Sequence, residues 1–182
     1  MVKNVLVLHA SPRMKGNSNA LAEMFIAGAE AAGHVVSRIN LGHADIRPCL
    51  ACDHCRRDPD VCIQNDDMQQ LYPAIKGADC VAFAAPLYYY GLPAQLKVML
   101  DRLHALGLHI DQIRDKESVL MMTAADKSKS AFDAAVKNYE LACLKYLRWQ
   151  NRGVLLAPGM DAAGDIKDDP LLAEAYILGH SM

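Results

Sequence analysis

The sequence predicts an α/β fold in which a parallel β-sheet is covered by helices on both faces. Five short apolar segments alternate with longer segments of helical period, and several of the apolar segments are rich in Val, Leu and Ala. Strands that are apolar on both faces are typical of buried parallel sheets. Strand–helix alternation indicates right-handed crossovers between neighbouring strands. Because the 182 residues contain no linker or repeat, we expect a single domain over residues 1–182.

The predicted elements follow in chain order. The strands are expected at residues 2–10, 35–41, 79–85, 118–124 and 153–158. The first helix has apolar residues at helical spacing from Leu21 to Ala32, and Gly33 is placed for a C-terminal cap. A second apolar stripe runs from Leu96 to Leu103.

Two further helices and one broken helix complete the prediction. A long helix carries an apolar stripe at Phe132, Val136, Tyr139, Cys143, Tyr146 and Leu147. Before the third strand, Asp66 and Gln69 have the spacing of a capping box, and the pair at 72–73, which contains a proline, predicts a break in that short helix. The final helix is predicted to have Asp169 as N-cap and Pro170 as its first residue.

Composition and charge limit the classes of function. The formal net charge is −2 and the hydrophobic fraction is 52%, which gives no basic surface for nucleic acid or an anionic membrane. The longest uncharged run, residues 80–96, contains prolines and a glycine and is shorter than the roughly 20 apolar residues of a spanning helix. No secretory leader is visible at the start. We therefore expect a cytoplasmic protein that handles small molecules, with six cysteines that are not a disulfide framework.

The loop after the first strand, "HASPRMKGNSNA" (9–20), has the composition of an anion-binding site. It leads into a helix whose free N–H groups and dipole favour negative charge, and it offers hydroxyls, amides and one arginine: Ser11, Arg13, Asn17, Ser18 and Asn19. Neither the dinucleotide fingerprint nor the P-loop is present, and no cysteine is available for a thiol phosphatase. A mononucleotide phosphate remains, and the alternative is a polar turn in which Asn17 or Ser18 only caps the helix.

The loop after the third strand, "AAPLYYYGLPAQLK" (84–97), combines turn residues with flat apolar surface. Pro86, Gly91 and Pro93 indicate an irregular turn. Leu87 and Tyr88, Tyr89 and Tyr90 offer the faces and hydroxyls that a planar ring system needs. The alternative is a tyrosine cluster that packs under the next helix. Because loops after parallel strands meet at one edge, we expect this loop to lie near residues 9–20.

Taken together, these motifs resemble one family. "SPR…GNS" and "PLYYYG…QLKVMLDR", with "PCLACDHC…C…DDM" and "GVLLAPGMDAAGDI", are similar to the flavodoxin-like, FMN-dependent NAD(P)H oxidoreductases of the NADPH-dependent FMN reductase family. The resemblance covers nearly the whole chain. The sequence departs from the family at two places: Ala10, where many relatives carry glycine, and "TAAD" at 123–126, which lacks the glycine that relatives often have. The resemblance implies a flavodoxin-like three-layer sandwich with a five-stranded parallel sheet in the order 2-1-3-4-5.

The resemblance also implies a cofactor and its site. FMN is expected with its phosphate at the anion-binding loop and its ring against the loop after strand three, and the segment after strand four is expected to close the third side. The implied cofactor-binding residues are Ser11, Arg13, Asn17, Ser18, Asn19, Pro86, Leu87, Tyr88, Tyr89, Tyr90, Gly91, Thr123, Ala124 and Asp126. NADH or NADPH is the implied donor, the acceptor is a quinone, flavin, other small molecule or protein, and the assembly is a homodimer. No catalytic side chain is named, because the cofactor carries the chemistry.

The cysteine run after strand two leaves alternatives open. Cys49, Cys52, Cys55 and Cys62 form a C-x2-C-x2-C-x6-C array, close to bacterial iron–sulfur spacings and like the compact motif of the iron–sulfur flavoproteins within this family. A cluster there would make the protein an electron carrier that meets protein partners. Unligated thiols are an equal alternative, zinc is a weaker one, and a flavodoxin-shaped module without flavin is a third function class. Cys80 and Cys143 are predicted to be packing residues.

Overall fold

A computed structural model describes residues 1–59 and 62–182. One five-stranded parallel sheet has the order β2-β1-β3-β4-β5. Its strands are β1 (Asn4–His9), β2 (Val35–Asn40), β3 (Cys80–Pro86), β4 (Glu117–Thr123) and β5 (Gln150–Ala157). The predicted flavodoxin-like sheet is confirmed, and each predicted strand overlaps an observed one. The fifth strand begins earlier than expected, and the register between β4 and β5 shifts between Ser118 and Val119.

The helices cover both faces of the sheet, as predicted. On one face lie α1 (Asn17–Ala31) and α6 (Leu171–His180). The other face carries α3 (Met68–Gly77), α4 (Ala94–Arg102) and α5 (Asp133–Tyr139), with a 3₁₀ segment at Leu103–Ile113. The short α2 (His54–Arg57) lies in the cysteine segment. Alternate residues of the buried strands face opposite layers: Leu6 packs into one core and Val7 into the other.

Helix α1 is fixed at its C-terminal end and along the side that touches α6. The N–H groups of Gly33 and His34 donate to the carbonyls of Glu30 and Ala29, and Gly33 has a φ of 84°, so the predicted glycine cap is present. Two glycines allow α1 and α6 to touch: a Cβ at Gly28 or at Gly179 would lie 2.0 Å from a backbone oxygen of the other helix. These positions accept no side chain.

Three expectations about helices were wrong in detail. Pro73 does not split α3, because it removes a single intrahelical hydrogen bond and buried residues of the helix pack on both sides of it. No capping box forms, since the Asp66 carboxylate accepts a hydrogen bond from the Met68 N–H at 3.1 Å instead of the Gln69 N–H, and the Gln69 side chain donates to the carbonyl of Gln64 at 2.9 Å. Pro170 precedes α6, which begins at Leu171, although the Asp169 carboxylate accepts a hydrogen bond from the Leu171 N–H at 2.9 Å.

The predicted long helix changes pitch along its length. A 3₁₀ turn at Lys129–Phe132 is followed by α5 and by a π-helix at Glu140–Tyr146. The wider π turn rotates the following side chains relative to an α-helical stripe. As a result Tyr146, predicted on the buried stripe, is exposed, while Cys143 and Leu147 are buried as predicted.

Candidate functional site

A cavity of about 230 Å³ opens at the carboxyl edge of the sheet. Four loops contribute to its wall, those that follow β1, β3, β4 and β5. The lining residues are Ser11, Arg13, Gly16, Asn17, Ser18, Pro86, Leu87, Tyr88, Thr123, Ala124, Ala125, Met160, Asp161 and Ala163. The structure therefore brings together residues from all three loops that the sequence singled out, as the rule for ligand sites in parallel sheets requires.

The β1–α1 loop forms the polar end of the cavity. The Ser11 hydroxyl accepts a hydrogen bond from the Arg13 N–H at 3.1 Å, which folds the loop into a tight turn. Helix α1 begins next to it with Gly16 as N-cap and no side-chain cap. Within the described residues, the N–H groups of Asn17 and Ser18 have no hydrogen-bond partner, as is usual for the first turn of a helix. These free donors suit an anion.

Gly16 is required at the throat of this loop. A Cβ at Gly16 would lie 2.9 Å from the Ser11 Oγ and 3.1 Å from the Arg13 carbonyl oxygen. Ala10, the residue that follows β1, is fully buried and is not among the residues with positive φ in the described chain. Its methyl is therefore tolerated, because the backbone stays in a region open to ordinary residues.

The two asparagines of the loop are engaged with the protein itself. The Asn17 amide donates to the Ala162 carbonyl at 2.8 Å, and its oxygen accepts from the Gly164 N–H at 2.9 Å. Asn19 lies behind the loop, outside the cavity lining, and donates to the Arg13 carbonyl at 3.0 Å. Asn17 thus holds the segment after β5 over the cavity, and Asn19 holds the loop in its turn.

The tyrosine loop forms a strained turn at the apolar end. The N–H of Leu87 donates to the Thr123 carbonyl at 2.8 Å, which joins this loop to the end of β4. Tyr88 and Gly91 bond each other through their backbones in both directions. Between them Tyr89 and Tyr90 have φ values of 47° and 60°, a left-handed conformation that costs ordinary residues roughly 1–2 kcal/mol each.

Part of the predicted set lies outside the cavity lining. Both Tyr89 and Tyr90 are exposed, and Gly91 closes the turn without lining the cavity. Asp126 also lies outside, where its carboxylate accepts a hydrogen bond from the Ser128 N–H at 2.8 Å. The roles of these residues and of Asn19 stay predictions.

Sequence reasoning missed the wall that follows β5. Met160, Asp161 and Ala163 line the cavity, and the Asp165 carboxylate orders them by accepting hydrogen bonds from the N–H groups of Asp161 and Ala162. The signal was available, because the segment follows a parallel strand at the same edge as the other loops. The segment belongs to one of the motifs that carry the family resemblance, but none of its residues was assigned to the site.

A second hollow lies on the opposite side of the β1–α1 loop. It is larger, about 450 Å³, and is lined by residues that include His9, Glu23 and Arg38. The Arg38 and Glu23 charges are paired within the protein, since Arg38 lies 3.5 Å from Glu23 and 3.1 Å from Glu30. Burial lowers the pKa of His9, although a contact with Asn19 and the charge of Glu23 oppose the change.

The four predicted metal ligands line one small hollow of about 30 Å³, together with Arg102 and His104. Cys49 and Cys52 are exposed, and Cys55 and Cys62 are half-buried. Burial is the main cause that raises the pKa of Cys55, and the three neighbouring thiols add to it.

The arrangement in the described residues includes no group of three ligands around a single metal ion. An iron–sulfur cluster is a different case, because its cysteines are distributed over two or more irons and the sulfurs need not converge on one point. Four thiols around one hollow therefore fit the donor set of a cluster. Cys80 and Cys143 are buried packing residues, as predicted.

Among the helices in the described parts of the chain, none is long and apolar enough to cross a bilayer.

The strand order and the cavity at the carboxyl edge place the protein in the flavodoxin-like class of α/β folds. A solved structure with this fold, the NAD(P)H:quinone oxidoreductase from Methanothermobacter marburgensis, superposes with a TM-score of 0.78 at 23% identity over 100% of this chain and 96% of that one. The model of the NADPH-dependent FMN reductase family matches residues 3–139. The chain belongs to that family.

Curated relatives carry two kinds of name. The iron-sulfur flavoprotein of Methanosarcina thermophila is 34% identical over 52% of this chain and 49% of its own length. FMN-dependent NAD(P)H:quinone oxidoreductase 1 of Pseudomonas aeruginosa is 26% identical over 63% of this chain and 59% of its own. The chain thus spans about half the length of the first of these relatives.

Proposed function

We propose that this protein is an FMN-dependent NAD(P)H oxidoreductase. The observation that carries the proposal is that one cavity joins the N–H groups of Asn17 and Ser18, which have no hydrogen-bond partner within the described residues, to an apolar wall of Pro86, Leu87 and Tyr88. A phosphate at one end and a flat ring at the other are the two parts of a flavin mononucleotide. Membership of the FMN reductase family supports the same cofactor.

The residues of the cavity divide into those that hold the phosphate and those that hold the ring. Ser11, Ser18 and the guanidinium of Arg13 offer donors to the phosphate. Thr123 and Ala124 complete the wall beside the ring. When bound, FMN supplies hydride acceptance and the onward transfer of electrons.

The remaining predicted residues act on the shape of the site. Asn17 and Asn19 fix the loops around the phosphate through the bonds to Ala162 and Arg13. Tyr89, Tyr90 and Gly91 form the turn beside the ring, and Asp126 orders the segment after β4. We assign no acid or base, because proton transfer by a side chain is not needed for hydride to reach a flavin.

NADH or NADPH serves as the donor, and the acceptor is a small molecule or a protein. We also propose a homodimer, the commonest assembly of soluble oligomers, and a cytoplasmic location.

The test uses the full chain purified under anaerobic conditions. A flavin spectrum, release of FMN on unfolding and bleaching by NADH or NADPH are the expected results. Arg13→Met should weaken FMN binding by at least tenfold, whereas the control Lys15→Met, outside the cavity lining, should not. Colourless protein that takes up no added FMN would reject the cofactor, and bound FMN that neither nucleotide reduces would reject the reductase activity.

A second candidate is an iron–sulfur flavoprotein electron carrier. The specific observation is that Cys49, Cys52, Cys55 and Cys62 line one hollow, and relatives are named iron-sulfur flavoproteins. Iron and sulfide analysis of the anaerobic protein separates the candidates. Bound iron that is lost in Cys62→Ser, but kept in the control Cys143→Ser, supports a cluster, and iron-free protein after reconstitution rejects it.

A further inference from the structure

Arg102, the last residue of α4, is buried beside the cysteine hollow, with an exposed fraction of 1%. Its guanidinium lies 2.6 Å and 3.1 Å from the two carboxylate oxygens of Asp66, whose side chain is also buried. Burial alone would raise the pKa of Asp66, but the hydrogen bonds from Arg102 and from two backbone N–H groups lower it. The pair is therefore charged. A buried ion pair contributes little to stability compared with apolar packing. Stability alone therefore does not explain the pair of Arg102 and Asp66.

The other contacts of Arg102 indicate a role in holding the cysteine segment. The Nη1 group also donates to the Arg47 carbonyl at 2.7 Å, and Nη2 lies 3.3 Å from the sulfur of Cys62. Asp66 in turn accepts a hydrogen bond from the N–H of Arg47 at 3.1 Å. The hydroxyl of Tyr72 donates to the Arg102 carbonyl at 3.1 Å, which fixes the end of α4. One guanidinium thus contacts the chain just before Cys49 and the last of the four cysteines.

The cysteine segment needs such a restraint. Between Arg47 and Asp66 the described residues contain only the four-residue helix α2, and Cys49 and Cys52 are exposed. Cys62 is separated from Cys55 by six residues, so local sequence does not place it beside the others. A segment with little regular structure and few buried residues opens easily.

We propose that Arg102 is a positioning residue for the four-cysteine site: it fastens both ends of the segment and donates a hydrogen bond to the Cys62 sulfur. The part of this inference that concerns a cluster rests on the second candidate function above. The fastening itself concerns the chain alone. Donors to a ligating sulfur favour the reduced form of a cluster, because that form carries more negative charge.

The first experiment uses the apo-protein and does not depend on any cluster. Arg56 and Arg57 are exposed within the segment, so trypsin cleavage after them reports its opening. In Arg102→Met we expect this cleavage to be at least tenfold faster than in the unsubstituted chain. Arg148→Met is the matched control, since it removes an exposed pair with Asp115 and should leave the rate unchanged.

The second experiment reconstitutes the full chain with ferrous iron and sulfide under anaerobic conditions. Arg102→Met should lose iron to a chelator at least tenfold faster and should have a more negative midpoint potential. A role limited to fold stability would not move the potential of the cluster that remains. Arg148→Met should match the unsubstituted protein in both measurements.

Arg102→Met leaves Asp66 buried without its cation, so Arg102→Lys is the second variant. The ammonium keeps the charge beside Asp66 but lacks the fork that reaches Arg47 and Cys62 together. In Arg102→Lys, both trypsin cleavage and iron loss should be faster than in the unsubstituted chain. These two rates decide the proposal if Arg102→Met does not fold. Unchanged cleavage in the folded variants would overturn the fastening, and an unchanged potential would overturn the sulfur contact. Failure of the unsubstituted chain to take up iron would reject the iron–sulfur candidate, while the cleavage rates still decide the role of Arg102.

Discussion

The side-chain oxygen of Asn17 accepts a hydrogen bond from the backbone N–H of Gly164 at 2.9 Å, although the two residues are 147 positions apart in the chain. The amide nitrogen of the same side chain donates to the Ala162 carbonyl. The start of α1 and the loop after β5 are therefore one structural unit. Both line the cavity proposed to hold FMN.

Replacement of Asn17 tests this unit. In Asn17→Ala the segment 161–166 loses three hydrogen bonds, to Ala162, Gly164 and Ile166, and is less ordered over the cavity. We expect a loss of about 1–2 kcal/mol, which corresponds to roughly tenfold weaker FMN binding, measured by quenching of FMN fluorescence. Asn151→Ala, which removes only a local bond to the Gly153 N–H, is the control. Equal FMN affinities in Asn17→Ala and Asn151→Ala would contradict the conclusion that the start of α1 and the loop after β5 form one structural unit.

A methyl group at Gly16 should narrow the phosphate end of the cavity. The added Cβ in Gly16→Ala would lie 2.9 Å from the Ser11 Oγ, and the displacement of the turn should cost about 1–3 kcal/mol. FMN affinity by titration and the free energy of unfolding are the measurements, and both should fall. Gly77→Ala is the control because a Cβ there meets nothing within 4 Å. A Gly16→Ala protein with normal FMN affinity would show that the turn is not the phosphate site.

A substitution in the strained turn after β3 should change the stability of the apo-protein and its FMN affinity in opposite directions. Tyr89 has a φ of 47° and its ring is exposed, so Tyr89→Asn, which tolerates this conformation, should stabilise the apo-protein by up to about 1 kcal/mol. Denaturant unfolding measures this gain. FMN affinity should fall at the same time if the ring of Tyr89 contacts the flavin. Tyr146→Asn replaces an exposed tyrosine in a helix and should show neither effect.

Stability should fall in mild acid because of His9. Burial lowers the pKa of His9 in the folded chain below its ordinary value of 6.5. As the pH falls below 6.5, the unfolded chain binds the proton first, so protonation favours unfolding until the folded-state pKa is also passed. The slope contributed by one histidine is at most about 1.4 kcal/mol per pH unit.

His9→Gln should flatten this part of the profile, measured by denaturant unfolding between pH 7 and pH 5. The control is His180→Gln at the exposed end of α6. A profile for His9→Gln that keeps the full slope would assign the acid sensitivity to other groups.

The six cysteines should divide into two classes of thiol. Burial raises the pKa of Cys80 and of Cys143 to about 12, so both should stay unreactive toward a thiol reagent at neutral pH. We expect the apo-protein to titrate four thiols with Ellman's reagent, and the remaining two only after unfolding. Mass spectrometry of the labelled peptides assigns them, and fast labelling of Cys143 would contradict the packing described for it.

The sequence predicted the sheet and the loops of the cavity because their signals are local. Apolar runs such as that around Val5 define a strand without reference to the rest of the chain, and the order of the strands follows from the family resemblance. Ser11 and Leu87 were placed at one site because parallel strands end at one edge. The wall after β5 was missed, since Ala163 and its neighbours are ordinary loop residues whose role depends on Asn17.

Features that depend on partners distant in sequence were not predictable in the same way. Asp66 has the spacing of a capping residue, but its carboxylate is also engaged by Arg102, 36 residues later. The spacing of a helix does not reveal which of its polar residues enters the interior. Tyr146 was placed on a buried face for a related reason, because only the packed structure shows that the helix widens into a π turn.

The close crossing of α1 and α6 at Gly28 and Gly179 has a consequence for biosynthesis. Helix α1 carries the phosphate end of the cavity, yet the helix that packs against it is translated about 150 residues later. A nascent chain can build the sheet strand by strand, but α1 lacks its neighbour until α6 leaves the ribosome. We therefore expect cofactor loading to follow the synthesis of α6 rather than to accompany that of α1.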